Sequence, residues 1–322
     1  VSGKKRVVFA GAGHANIAAL RRLAKNPLDA ELILVNHGPQ IWYTGALPAL
    51  IRGDMTETQA SIDAPSLAKS CGASFTDARI IGFDGDWLTL ENQAPLRFDI
   101  LSLSTGSTPN GGVKPIGAFI ARLNSWDRAP SPAIGIIGAG AAGVELALAL
   151  RHRLGAKAQI TMQAADDTIL RGAPKAAQKT IRQELTAARI EIVAKFPTRP
   201  DDVIHAYTPA PTYQIRDTLQ LTTHDHILAA GDCAAFPTPL PRSGAIAVRQ
   251  GRTVAANIRN LLTNKPATPF TPPRHTLAIL SLNAHKATAW YGPLSWTGHL
   301  PMTLKSRLDA AWLEGWFLSK QG

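Results

Sequence analysis

Apolar and polar positions in this chain follow a strand, helix, strand rhythm that occurs twice. Residues 6–10 are a nearly unbroken apolar run, the pattern of a buried strand, and they lead through a glycine turn into an alanine-rich stretch, 14–25, with helical spacing. A second buried strand is predicted at 31–35. The order returns downstream as strand 133–137, helix 141–153, strand 157–162 and helix 173–188. Between these halves, 42–55 reads as a loop because of Gly45, Pro48 and Gly53. A short helix is expected at 64–70, strands within 73–90 around a turn at 84–86, and a buried strand from 98 to Pro109 that contains Thr105-Gly106. The Gly- and Pro-rich stretch 110–132 predicts a crossing between domains.

Beyond the second unit the pattern weakens. Residues 189–213 look irregular apart from an apolar piece at 203–207, and 228–236 ends another strand. Ser243 is the expected N-cap of a helix running to 262. A linker at 266–273 and hairpins within 277–297 precede a last helix at 302–320. That helix places Leu304, Leu308, Trp312 and Trp316 at successive i+4 positions, with Leu313 and Phe317 alongside and Lys305, Arg307 and Lys320 flanking. Such a stripe docks on the body, pairs with a second subunit as a homodimer, or lies on a membrane surface. The pattern leaves the three open.

Length and composition narrow the class. The 322 residues, 45% of them hydrophobic, allow two or three modest domains with real cores. The formal charge of +11 is spread through periodic segments without a Lys/Arg run, so no nucleic-acid partner is expected; phosphate-bearing cofactors or an acidic lipid surface suit the charge better. The two cysteines, Cys71 and Cys233, lie far apart and form no CxxC, so no metal site is signalled; burial as small apolar residues is the expectation. A cytoplasmic protein is the default, with contact at the inner face of the membrane open. No apolar run approaches the roughly 20 residues needed to span a bilayer.

The chemistry is concentrated at the glycine turns. VVFAGAGHAN has Gly11 and Gly13 between strand and helix, with Asn16 at the third glycine position. AIGIIGAGAAGVE has all three, at Gly138, Gly140 and Gly143. Such turns let the backbone approach a pyrophosphate and aim free helix N–H groups at its charge. Two of them imply two nucleotides facing each other and electron transfer between them. The acidic residue that usually meets each ribose is replaced by Asn36 in the first unit and by Gln163 in the second, which leaves NADH and NADPH undistinguished.

Two glycine turns, a Thr-Gly strand end between them and the Ala-Gly-Asp of LAAGDCAAF after them resemble the pyridine nucleotide-disulfide oxidoreductase superfamily. GAGHAN, YTGALP and AVRQG look closest to the NADH dehydrogenase-like flavoproteins associated with selenide, water dikinase; type II NADH:quinone oxidoreductases are more distant. The resemblance implies an α/β fold of two Rossmann-like dinucleotide-binding domains, the second inserted in the first. Residues 1–112 and 214–265 would bind FAD, a shortened domain at 113–213 would bind NAD(P)H, and 266–322 would form a small C-terminal α+β segment. It further implies that Gly11, Gly13, His14 and Ala15 lie at the FAD pyrophosphate, Asn36 and His37 near its ribose, and Ile80 at adenine. Thr105 and Gly106 would be the cofactor-binding Ala-Thr-Gly strand end of the family, with Ser104 in place of the alanine. Leu47 and Pro48 would pack near the ring, and Gly231-Asp232 would lie at the ribityl chain. The helix start near Ala245 and Ile246 would face the pyrimidine edge, where its dipole favours negative charge on the reduced ring.

Gly138, Gly140 and Gly143 would hold NAD(P)H phosphates, and Glu145 would be the catalytic group, relaying the proton at flavin N5. The activity so implied is an FAD-dependent oxidoreductase passing hydride from NAD(P)H to a quinone or other small acceptor. Its alternative is a flavoprotein that has lost NAD(P)H and acts with a partner protein, in that partner's modification or assembly. Pro209 at a second Thr-Gly position and the shortened stretch after Arg189 favour that alternative, Ala245 and Arg249 replace glutamines of quinone-reducing relatives, and absent paired cysteines disfavour sulfide oxidation.

Overall fold

The computed structural model describes residues 3–107, 111–166 and 168–315. Pro109 and the stripe residues Trp316, Phe317 and Lys320 lie outside the described residues. The chain opens with β1 (Lys5–Ala10), α1 (His14–Ala24) and β2 (Ala30–Asn36). The segment read as a loop is instead a 3-10 turn followed by α2 (Leu47–Arg52). Pro48 caused that misreading: at the first turn of a helix a missing N–H costs nothing, and Gly53 then ends the helix in the left-handed region at φ 84°.

After α2 come the short helix Ala64–Ser70, β3 (Ser74–Asp77) and β4 (Ile100–Leu103). The expected crossing at 110–132 contains α3 (Ile116–Arg128), whose Ile116, Phe119, Leu123 and Trp126 bury one face. Next are β5 (Ala133–Ile137), α4 (Ala141–Leu154), β6 (Gln159–Gln163), α5 (Lys175–Ala187), β7 (Glu191–Val193) and β8 (Asp202–His205). The stretch 189–213 thus contributes two strands rather than being irregular. β9 (Ile227–Ala229) and α6 (Gly244–Leu262) follow, then β10 (Ala278–Ser281), β11 (Ala287–Tyr291), β12 (Leu294–Gly298) and α7 (His299–Glu314), which starts three residues before the predicted position.

These strands make an α/β fold with two parallel sheets. The first has the order β9-β4-β1-β2-β3, so the chain leaves it after Leu103 and returns at Ile227. The second has the order β7-β6-β5-β8 and is built wholly from the intervening residues. Both sheets carry the crossover order of Rossmann-like units, strand one in the middle and strand two beside it. β10, β11 and β12 form an antiparallel sheet, packed by α7.

Two cores result. One surrounds the first sheet with α1 and α6. Gly251 on α6 permits their contact, since a Cβ there would come 2.4 Å from Ala15 O. The other surrounds the second sheet, and Leu47, Leu50 and Ile51 of α2 belong to it although α2 lies in the first stretch of chain. α2 packs on α4 and so fastens the two sheets together.

Candidate functional site

Parallel register brings three strand ends to one edge. Ala10, Leu103 and Ala229 are directly paired across β1, β4 and β9, so the residues that follow each strand emerge side by side. Ser104, 3% exposed, is their meeting point. Gly13 N–H donates to Ser104 O at 3.0 Å, and Ala230 N–H donates to Leu103 O at 3.0 Å. A Cβ on Gly13 would lie 2.3 Å from Ser104 Oγ, and one on Gly231 would lie 3.6 Å from the same atom. Gly11-Gly13, Thr105-Gly106 and Gly231-Asp232 therefore share one cleft at the carboxyl ends of the strands, where ligands of open α/β sheets bind.

Asn16 braces this edge. It is fully buried, its Nδ2 donates to Gly11 O at 2.8 Å, Ser102 O at 2.9 Å and Ala10 O at 3.2 Å, and its Oδ1 accepts from Ser102 Oγ at 2.6 Å. The residue that breaks the glycine pattern thus does a different job, tying the turn to the central strand. Asn36 is engaged in a similar way. Its Oδ1 accepts from Ala12 N–H at 3.2 Å and its Nδ2 donates to the carbonyls of His37 and Gly38, so the expected ribose partner supports the turn here. His37 is exposed beside it, and Ile80 begins the neighbouring strand Ile80–Asp84.

α1 begins at His14 without a side-chain cap, leaving its first N–H groups for the cleft. The His14 ring lies deep in the molecule while keeping some surface. It stacks on Trp312 at 5.1 Å and 16°, and approaches Tyr43 at 5.6 Å. Burial, with the Lys114 ammonium nearby, lowers its pKa to about 4, so the imidazole is neutral at pH 7. At α6 the expected cap is present: Ser243 Oγ accepts from Ile246 N–H at 3.3 Å. That amide is therefore taken by the cap, whereas Ala245 sits exposed on the first turn. Between this helix start and the β9 end lies a cavity of about 240 Å³ lined by Asp232, Phe236, Arg242, Ser243, Ile246 and Gln250. Gln250 Oε1 holds Gly231 N–H at 2.8 Å, while the Asp232 carboxylate has no hydrogen-bond partner among the described residues.

Glu145 is neither an exposed helix residue nor a lone carboxylate. Its Oε1 accepts from Ser281 N–H at 2.7 Å and Ser281 Oγ at 2.8 Å. Burial raises its pKa, opposed by the Lys305 ammonium and the Ser281 bonds and reinforced by Asp309. Lys305 Nζ donates to Gly45 O at 2.9 Å and Asp309 Oδ2 at 2.7 Å, and Tyr43 Oη donates to Asp309 Oδ1 at 2.7 Å. Burial and Asp309 push the Tyr43 phenol up, so it stays protonated. Lys305, expected to flank the helix stripe, is 8% exposed and turned into the protein. Ser281, Tyr43 and Asp309 escaped sequence reasoning because they sit on separate elements. The available signal was an aspartate four residues after a lysine on an apolar helix face.

At the second turn the three glycines differ. A Cβ on Gly143 would fall 1.9 Å from Gly138 O, and one on Gly138, at φ 116°, would fall 2.7 Å from Ala206 O. Gly140 has open space around it, and α4 starts there without a side-chain cap. The chain's own packing explains two of the glycines and leaves the third for an approaching group. Pro209 lies beside the first fold, its carbonyl and that of Thr208 accepting from Arg242 Nη1. Within the shortened stretch after Arg189, Phe196 and Pro200 cover Gly135 of β5. Of the predicted residues, Gly11, Gly13, Thr105, Gly106, Gly231 and Asp232 come together around Ser104, and Gly138, Gly140 and Gly143 share the second turn, while His37 and Ile80 lie apart from Ser104 and Glu145 and Pro48 lie on α4 and α2, which pack on each other.

FAD fits this donor set. The first cleft offers an uncapped helix start for a diphosphate, a free carboxylate for hydroxyls, and a buried Ser107 Oγ without a partner beside Gly106. No group of metal-ligating residues occurs among the described residues, and no helix there is long and apolar enough to cross a membrane.

A family model described as pyridine nucleotide-disulphide oxidoreductase matches residues 5–205. Among solved structures, the chain is similar to the sulfide:quinone oxidoreductase from the hyperthermophilic bacterium Aquifex aeolicus, with TM-score 0.78, 17% identity, and 96% of this chain and 91% of that one covered. NDH2 from Plasmodium falciparum in complex with NADH gives TM-score 0.78 at 10% identity, with 99% of both chains covered. The water-forming NADH oxidase from Lactobacillus brevis, bound to NADH, gives 0.68 at 20% identity, covering 89% of this chain and 75% of that one. No curated protein matches the chain.

Proposed function

This chain belongs to the pyridine nucleotide-disulphide oxidoreductase family, and from that premise we propose that it is an FAD-dependent NAD(P)H dehydrogenase acting on a quinone or another small acceptor. The observation that carries the reading is the convergence of Gly11-Gly13 and Gly231-Asp232 on Ser104, which puts a diphosphate cradle and a free carboxylate in one cleft. Bound FAD supplies the two-electron chemistry. The chain's residues supply the rest: the α1 N-terminus favours the diphosphate, Asp232 orients hydroxyls beside it, and the α6 N-terminus offers partial positive charge. The open space at Gly140 and the uncapped start of α4 suit the phosphates of a reduced nicotinamide.

A visible spectrum of the purified protein tests the flavin, and anaerobic mixing with NADH or NADPH tests the donor. Bleaching of the flavin band is expected, and Asp232→Ala should weaken FAD binding by tenfold or more, the loss of about 1.5–3 kcal/mol typical of a charged hydrogen bond. A colourless protein that refuses added FAD overturns the reading. A second reading rests on Pro209, which stands at the second Thr-Gly position and whose carbonyl, with that of Thr208, accepts from Arg242 Nη1. It makes the chain a flavoprotein that serves a protein partner, and a flavin bleached by neither nucleotide would select it.

A further inference from the structure

The stretch that carries the chain out of the first sheet is fastened to the second. Gly111 O accepts from His205 N–H of β8 at 3.0 Å. Gly112 O accepts from Arg122 Nη1 at 3.3 Å, and Arg122 of α3 is itself paired with Asp202 of β8 at 2.7 and 2.9 Å. Lys114 follows, just ahead of α3, yet its ammonium turns back to the first cleft. Its Nζ lies 3.7 Å from the place a Cβ on Gly106 would take. Gly106, at φ 71°, comes after Thr105, whose Cα would be 2.8 Å from a Cβ on Gly11. The ammonium therefore stands beside the strand end that borders the first glycine turn.

The protein's own groups do not account for that placement. Among the described residues Lys114 is exposed and has no carboxylate or carbonyl partner, and the Oγ of Ser107, next along the chain from Gly106, is buried without one. Two donors at Gly106 thus wait for an acceptor. The cleft also lacks positive charge. His14 is neutral at pH 7, Asp232 is an acid, and Arg242 is engaged with the carbonyls of Thr208 and Pro209. The α1 N-terminus offers about half a positive charge, whereas the diphosphate of FAD is doubly negative and costly to bring out of water without a counter-charge.

We propose that Lys114 is a binding residue for the FAD diphosphate, its ammonium supplying the full positive charge that the first glycine turn lacks. This rests on the flavin reading given above and names the counter-charge which that reading leaves open. Ser107 Oγ offers a neutral hydrogen bond to the same group. Because Lys114 sits on a stretch bonded to β8 and α3, an occupied first cleft also grips the start of the second unit.

The test is titration of the FAD-free full chain with FAD, adenosine diphosphate, adenosine and riboflavin, followed by calorimetry. Lys114→Met should weaken FAD and adenosine diphosphate by about tenfold or more, the loss of one charged hydrogen bond, and leave adenosine and riboflavin within about twofold, since only the first pair carries the diphosphate. Lys114→Arg, which keeps the charge, should restore both. A loss shared by adenosine or riboflavin, or no recovery with arginine, overturns the proposal. So does a shifted flavin midpoint potential in FAD-loaded Lys114→Met, which would put the ammonium at the ring instead. FAD bound equally by wild type and Lys114→Met defeats the proposal and leaves the flavin reading standing. Wild-type protein that refuses FAD yet binds adenosine diphosphate through Lys114 defeats the flavin reading and leaves the diphosphate contact standing, and binding of neither ligand defeats both.

Discussion

At the scale of single residues, Asn16 is the clearest case of a pattern break with a physical cause. Glycine at that position would let helix and strand approach, but it could not satisfy three carbonyls and a hydroxyl. Asn16→Ala takes away the partner of the Ser102 hydroxyl and of the Gly11 carbonyl inside the first core. Burying such groups costs about 2–4 kcal/mol in sum, which a lowered urea midpoint with unchanged slope would register. His14 makes a prediction about pH. Its folded-state pKa of about 4 lies below the ordinary value of 6.5, so the unfolded chain binds more protons between those two values. Its contribution is complete above pH 6.5 and is lost as pH falls towards 4, amounting to at most about 3 kcal/mol. Comparing urea midpoints of the wild type and His14→Gln at pH 7 and pH 4.5 checks this: the wild type should lose more stability than the variant on acidification.

At the scale of elements, the glycine turns show how far a motif speaks for a ligand. Gly13 is required by Ser104, 2.3 Å from its missing Cβ, so it would be glycine with or without a nucleotide. Gly140 has no such neighbour and its φ of −77° suits any residue. Gly13→Ala should therefore unfold or distort the first sheet edge. Gly140→Ala should keep the melting temperature within a degree or two and weaken nicotinamide binding, measured by the NADH or NADPH concentration needed for half-maximal flavin bleaching. Equal losses of stability in the two variants would show that neither glycine is kept for a ligand.

The same scale shows what the sequence disclosed. β1, α1, β2, β5, α4 and the Ser243 cap were legible because each is a local pattern. α2 was not, since Gly45, Pro48 and Gly53 are loop residues by composition yet sit at the start and stop of a helix. α3 was hidden between Gly- and Pro-rich flanks. The cluster around Glu145 was out of reach, because its members are joined only by packing: Tyr43 and Asp309 are 266 residues apart.

At the scale of the whole molecule, the two sheets are coupled through shared cores more than through the chain that links them. α2 leaves the first sheet to bury Leu47, Leu50 and Ile51 in the second core, and α7 bonds to Gly45 ahead of it while Trp312 stacks on His14 and lies under the Arg21 guanidinium at 5.1 Å. A ligand gripping the first cleft should therefore be felt in the second sheet. FAD at about a hundred times its dissociation constant adds about 2.7 kcal/mol to the unfolding free energy by mass action. If α2 and α7 make the chain a single cooperative unit, that increment appears as slower amide exchange in β5 and α4 as well as in β1 and β9. Two independent units would instead confine the protection to the first sheet, and peptides from α4 would exchange at the same rate with and without FAD. The coupling also reaches Glu145, since its carboxyl lies on α4 but accepts from Ser281 of β10, against which α7 packs. Loosening the contact, as in Trp312→Ala, should reduce the FAD-induced protection of α4 more than that of β1, because α2 and α7 join the second core to the first cleft.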